Sequence, residues 1–229
     1  MKYKKRDIYV IKGKHEPLKF VGEEKAYAIS ETHSYEIKKI MNTSTMLLVD
    51  KEVSDVNFIL EFKKREINYD EIFNFIEPSG MSNPKKYAIE RLKEAFYLAD
   101  DEIVAIIKKL KLIKLEDSVI KLEYKITRKI VSYLQSLKIS NCDIKKEMEI
   151  YPEYIRDWIY SNFNGSAEEI GAYLLLELWE KKDISSFIEK WEHSVVDIIN
   201  MNKLKEYIDT MYLPKNIYKE VSIIFKNNK

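Results

Sequence analysis

The sequence predicts an α+β protein that is mostly α: a small mixed α/β N-terminal region followed by a helical body. Residues 7–62 hold short β-branched and aromatic runs, whereas beyond residue 84 apolar residues recur at three- and four-residue spacing almost to the C-terminus. Glycine and proline number only five each among 229 residues, far below the roughly 12% usual for soluble chains, which excludes collagen-like and Pro/Gly-rich disordered classes. With 45% hydrophobic residues, 12% aromatics and a net charge of +1, the chain can bury a proper core.

Taken in order, residues 7–12 and 18–21 are β-like, and 23–41 read as a helix. Residues 45–49 and 56–62 form a hairpin joined by 50–55. Pro78, Ser79, Gly80, Ser82 and Pro84 mark 77–84 as a linker between a mixed α/β domain, 1–76, and a second region, 85–163. Asn83 before Pro84 reads as an N-cap with proline in the first turn. A helix over 85–98 aligns Ile89, Leu92 and Phe96. A second over 100–110 aligns Ile103, Ile106, Ile107 and Leu110. Period-2 alternation then predicts a hairpin from Leu112 to Leu122 around Glu116-Asp117-Ser118. Helices follow at 127–137, 143–148, 152–163, 167–181, 184–201, 203–212 and 215–225. The last of these make residues 164–229 a helical region for packing or dimerisation. Trp179, Trp191, Phe187 and Tyr173 are expected to fill its core.

The single cysteine, Cys142, cannot close an internal disulfide, which points to a reducing, cytoplasmic location. The basic start lacks the apolar core of a signal peptide. The uncharged apolar stretch 170–176 is far shorter than the roughly 20 residues that cross a bilayer, so no membrane association is expected.

Charge is segregated along the chain. Residues 1–20 carry seven basic and two acidic side chains, and 108–129 carry eight and three, whereas 168–209 carry ten acidic and five basic. Such a distribution suits one basic working face. Arginine is scarce, with five against 34 lysines.

Between 127 and 163, Ile144 and Met148 share one face of a short helix, and Ile150 follows in a tight turn. Ile155, Trp158 and Ile159 then point inward from a second helix, all closing on Ile130, Leu134 and Leu137. This pattern resembles the helix-turn-helix superfamily of DNA-binding modules, with Lys145 where a small residue is usual and Glu149 where glycine is usual. The resemblance implies that 152–163 is a recognition helix presenting Glu153, Tyr154, Arg156, Asp157 and Tyr160 outward, with Tyr154, Arg156 and Tyr160 approaching base edges. Residues 141–163 hold five acidic and three basic groups, so the attraction to phosphates must come from elsewhere. The segment 85–125, a helix running into a β-wing, resembles winged-helix domains. Its Lys108, Lys109, Lys111, Lys114, Lys121 and Lys125 would hold phosphates without reading sequence.

The expected function is therefore a DNA-binding regulator of double-stranded DNA, dimerising or meeting a protein partner through 168–229. The alternative is a non-enzymatic protein–protein interaction factor, of a mobile-element or defence-related kind. A third reading comes from Asp50, Glu61 and Lys63, which resemble the D…ExK set of metal-dependent nucleases, with Glu36 as a further carboxylate. His15, His33 and His193 show no metal-ligand spacing, and no phosphate-binding glycine motif occurs, so neither a metal nor a cofactor is expected.

Overall fold

The structure, a computed structural model, describes residues 18–22, 25–49, 52–179, 184–195 and 200–227. The chain splits into two compact units, Met1–Ile67 with Lys93–Ile103, and Asn68–Leu92 with Val104–Lys229.

The first unit is built on an antiparallel sheet of order β1-β2-β3-β4, formed by Lys19–Val21, Tyr27–Ile29, Ser34–Val49 and Glu52–Lys64. The helix expected at 23–41 is absent: 27–29 and 34–41 are strands. From Ser34 to Ile40 every residue type is compatible with a pleat, and each residue from Tyr35 has a register partner on β4, from Tyr35↔Lys64 to Ile40↔Ile59. Paired backbone on both sides of β3 outweighs the weak helical spacing of the apolar residues. The expected hairpin is present but much longer than 45–62, while 7–12 and the turn residues 50–51 lie outside the described residues.

Glu102 closes this unit. Its buried carboxylate accepts hydrogen bonds from the Ser34 N–H and hydroxyl, each at 3.1 Å, and from the Ala99 N–H at 2.9 Å. Three donors satisfy a charge that would otherwise be costly to bury. Nearby, Tyr27 stacks on Tyr97 with centroids 4.5 Å apart, and the Arg65 guanidinium lies 5.1 Å from the Tyr27 ring centroid.

The second unit opens with α1 (Tyr69–Phe75) and β5 (Tyr87–Ala88). Then come α2 (Ile89–Phe96) and α3 (Asp100–Lys109), each contributing to both units. The strands β6 (Ile113–Leu115) and β7 (Ser118–Ile120) complete a three-stranded sheet of order β5-β7-β6. Residues 77–84 are no free linker. Ser79 donates its N–H to the Lys121 carbonyl (2.9 Å) and accepts from the Glu123 N–H (3.2 Å), pinning the segment beside β7. Pro84 precedes β5 rather than opening a helix, because Tyr87 is drawn into pairing with Val119.

The helical body consists of α4 (Tyr124–Ile139), α5 (Ile144–Glu147), a 3-10 turn at Met148–Ile150, α6 (Glu153–Asn162), α7 (Ala167–Trp179), α8 (Ile184–Val195), α9 (Met201–Thr210) and α10 (Lys215–Asn227). One core runs from Ile113 and Ile120 through Ile130, Leu134, Met148, Ile155 and Trp158 to Leu175, Trp191 and Leu204. Trp191 and Tyr173 are buried as expected, and the Trp191 indole donates to the Gly171 carbonyl at 3.0 Å. The side chains of Trp179 and Phe187 lie outside the described residues. Ile150, expected inside, is 70% exposed. The 3-10 turn tightens the chain to three residues per turn and rotates Ile150 away from the face that buries Met148.

Three helices end without glycine. Tyr97, Lys111 and Asn141 adopt φ near +50°, and the next residue's N–H reaches back five positions, as in Leu112→Ile107 (3.0 Å) and Cys142→Leu137 (3.0 Å). Gly165 is used where nothing else fits. Its φ is +68°, and an added Cβ would lie 2.9 Å from Leu134. Its N–H, with that of Asn164, feeds the buried Glu169 carboxylate, while Ser166 caps the Glu169 N–H. Gly165→Ala is therefore expected to cost about 1–3 kcal/mol in urea unfolding. A loss below a few tenths would show that the α6–α7 turn tolerates a side chain.

Candidate nucleic-acid interface

On α3 the inward stripe is Ile106 and Leu110, both buried, with Ile107 half-buried. The opposite side offers Val104, 61% exposed, with Ala105 and Lys108, also exposed. Positions 104, 105 and 108 share one face because a helix repeats every three to four residues. The negative residues of the first turn, Asp100–Glu102, complement the helix dipole.

The hairpin after α3 alternates as the sequence predicts only along its first strand. Ile113 is buried, Lys114 is exposed and Leu115 is half-buried. Along the second strand Val119, Ile120, Lys121 and Leu122 are all buried. Val119 and Ile120 belong to the strand, whose two edges are paired with β5 and β6, whereas Lys121, the residue after it, is covered by Phe73 of α1.

That arrangement divides the six lysines expected to bind phosphates. Lys108, Lys114 and Lys125 project into solvent. Lys121 does not: it is 8% exposed, donates to the Phe73 carbonyl and places its ammonium 3.8 Å from the Phe73 ring centroid. Burial pulls its pKa down to about 8. Lys109 donates to the Asp209 carbonyl at 2.9 Å. Lys111 is half-buried beside the rings of Phe163 and Tyr207. Burial lowers the pKa of both, partly offset by Asp209 and Glu169 respectively. Lys121 is thus buried and Lys109 and Lys111 are half-buried, against the expectation that all six lysines would meet phosphates.

The bihelical segment at 141–163 folds with the expected partners apart from Ile150. Met148, Ile155, Trp158 and Ile159 are buried, and Ile144 packs on the core partly exposed. Asp143 caps α5 by accepting from the Lys145 and Lys146 N–H groups. The outer side of α6 presents Glu153, Asp157, Tyr160 and Ser161. Of the three residues expected at base edges, only Tyr160 stands clear. Tyr154 packs on the core, and Arg156 is half-buried with its Nε enclosed. Two carboxylates on that side repel phosphate, so α6 is a poor reading head.

Only part of the nuclease set falls among the described residues. Asp50 lies outside the described residues, and Glu61 and Lys63 are exposed on β4. Glu36 is on a strand rather than a helix, and the register opposes Glu36 to Lys63 and Lys38 to Glu61. These are alternating cross-strand charge pairs, which stabilise a ribbon. Among the described residues no three His, Cys, Asp or Glu side chains are grouped to hold a metal ion, and no helix is long and apolar enough to cross a membrane.

The sequence resemblance singled out α6 and missed Val104 and Ala105. The signal was present, since a stripe of Ile103, Ile106, Ile107 and Leu110 leaves 104, 105 and 108 on the far side. Comparison of the chain with protein-family models and with curated proteins finds no match.

Lys121 gives a direct test of this geometry. Its folded pKa lies below the usual 10.5, so the native state holds its proton at a cost at pH 7, on the order of 3 kcal/mol at most. Lys121→Met is expected to raise stability at pH 7 by about 1–3 kcal/mol in urea unfolding. The advantage should shrink as pH climbs from about 8 to 10.5, where the unfolded chain alone keeps the proton. A pH-independent difference would show that Lys121 is solvated.

Proposed function

We propose that this chain is a DNA-binding regulatory protein that docks on duplex DNA through the outer side of α3 and the β6–β7 hairpin, rather than through α6. The observation that carries the reading is connectivity. The order α1-β5-α2-α3-β6-β7, with the sheet ordered β5-β7-β6, matches the winged-helix arrangement that the sequence at 85–125 resembles. In that arrangement the second helix of the pair enters the major groove and the hairpin rests on the backbone. Fold alone does not define chemistry, and the exposed side chains supply the rest. Lys108 and Lys114 suit phosphates, and Val104 with Ala105 suits the thymine methyl group at a base edge. Lys125 and Lys129, exposed on α4, extend the basic character. Glu116 and Asp117 at the hairpin tip oppose it, so few phosphates are neutralised.

Fluorescence anisotropy on a labelled duplex at graded salt tests this. With about two to four phosphates engaged, the logarithm of affinity should fall against the logarithm of salt with a slope of roughly −2 to −4. Lys108→Ala and Lys114→Ala should each flatten that slope by about one, whereas Tyr160→Ala on α6 should leave it unchanged. Absence of binding at low salt would overturn the proposal and favour a protein partner. An affinity that falls in Tyr160→Ala and not in Lys108→Ala would return the contact to α6.

A further inference from the structure

The second unit holds a half-open cavity of about 260 Å³ bounded by the end of α1, the loop that follows it, the residues just after β7, the start of α4, α7 and the residues just after α9. Its apolar wall is aromatic, with Phe73, Tyr124, Tyr173 and Tyr212. Facing that wall are the three lysines withdrawn from the surface, Lys109, Lys111 and Lys121. They arrive from three places: the last residue of α3, the left-handed turn after it and the edge of β7.

The charge of this cavity is unbalanced. Its one carboxylate, Glu77, is held by the Lys85 ammonium. Glu169, which lies near Lys111, is already satisfied by the N–H groups of Asn164 and Gly165. Asp70, close by on α1, accepts the Tyr212 hydroxyl, and Asp209, which acts on Lys109, is paired with Lys205 at 2.6 Å. Lys121 has no ion pair among the described residues, only a carbonyl and a ring face. Buried charges are ordinarily paired, and one without a counter-ion is costly to maintain. Ligand sites commonly combine an apolar, aromatic lining with a few convergent polar groups.

We propose that this cavity binds a small aromatic anion, a planar ring bearing one carboxylate or phosphate, with the acidic group among Lys109, Lys111 and Lys121 and the ring against the aromatic wall. The volume admits a single ring with its acidic group and little more. Binding needs no covalent step: the anion supplies the missing counter-charge, and the ring displaces water from apolar surface. An anion beside a buried ammonium also favours its protonated form.

The test uses the full chain without DNA and three probes: benzoate, phenyl phosphate and inorganic phosphate. Calorimetric titration should show saturable one-to-one binding of benzoate or phenyl phosphate. Whichever binds more tightly identifies the acidic group as carboxylate or phosphate. Inorganic phosphate should bind at least tenfold more weakly, and equal binding would overturn the requirement for a ring. Lys121→Met should weaken the preferred probe at least tenfold while far-ultraviolet circular dichroism stays unchanged, and Lys111→Met provides a second variant with the same expectation. NMR titration of the lysine side-chain methylenes should place Lys121 near 8 in the free protein and at least one pH unit higher with saturating probe, a tenfold preference of the probe for the charged lysine. Failure of both aromatic probes to bind at 10 mM, or unchanged binding in both variants, would overturn the assignment.

Discussion

The second unit depends on the pairing of Ile113 with Ile120 across β6 and β7. Both side chains are fully buried and belong to the same core as α4, α6 and α7. A two-stranded hairpin alone is marginal in water. This one is held because its apolar residues enter a helical core and because β5 covers its other edge. With Ile113 fixed inward, Lys114 must face outward, and the last residues of α3 are fixed just before it. The left-handed turn at Lys111 makes that connection in three residues, and the Leu112→Ile107 hydrogen bond closes it. The position of the exposed cations on α3 and on the hairpin follows from these constraints.

The same pairing withdraws half of the basic cluster. Lys121, the residue after β7, is left buried against Phe73 of α1 with its proton loosely held. Lys109 and Lys111 are drawn in beside it at the end of α3. One stretch of sequence thus supplies both an outward set of cations, suited to phosphates, and an inward set lining an aromatic cavity. Cations in water attract a polyanion weakly and in a salt-dependent way. Cations in a cavity act at short range and discriminate by shape. The two sets suit the two different ligands proposed for them.

Much of the helical body was legible in the sequence because its signal is local. The stripes over 100–110 and 127–137 and the inward Met148, Ile155 and Trp158 all follow from periodicity. The errors arise where distant pairing decides. Residues 27–29 are strand because β1 and β3 flank them, and 35–41 because β4 lies beside them, about 17–29 residues further along the chain. Pro84 begins no helix because Tyr87 pairs with Val119, and Lys121 is buried because Phe73 of α1, nearly 50 residues earlier, packs on it. The domain boundary moved from 76 to 67 because α1 belongs with the second unit. Helix ends at Tyr97, Lys111 and Asn141 escaped notice because the chain uses ordinary side chains where glycine is the usual mark. For the interface, spacing alone located Lys108 and Lys114, whereas the preference for α6 came from a pattern of buried residues that says nothing about the charge on its outer side.

The central claim is that α3 and its hairpin, not α6, face the nucleic acid. Hydrogen–deuterium exchange of the full chain, with and without a duplex at low salt, tests it residue by residue. The account predicts slowed exchange confined to the segment from Val104 to Asp117, with Glu153–Asn162 unaffected. Slowed exchange across Glu153–Asn162 with the α3 segment unchanged would contradict it.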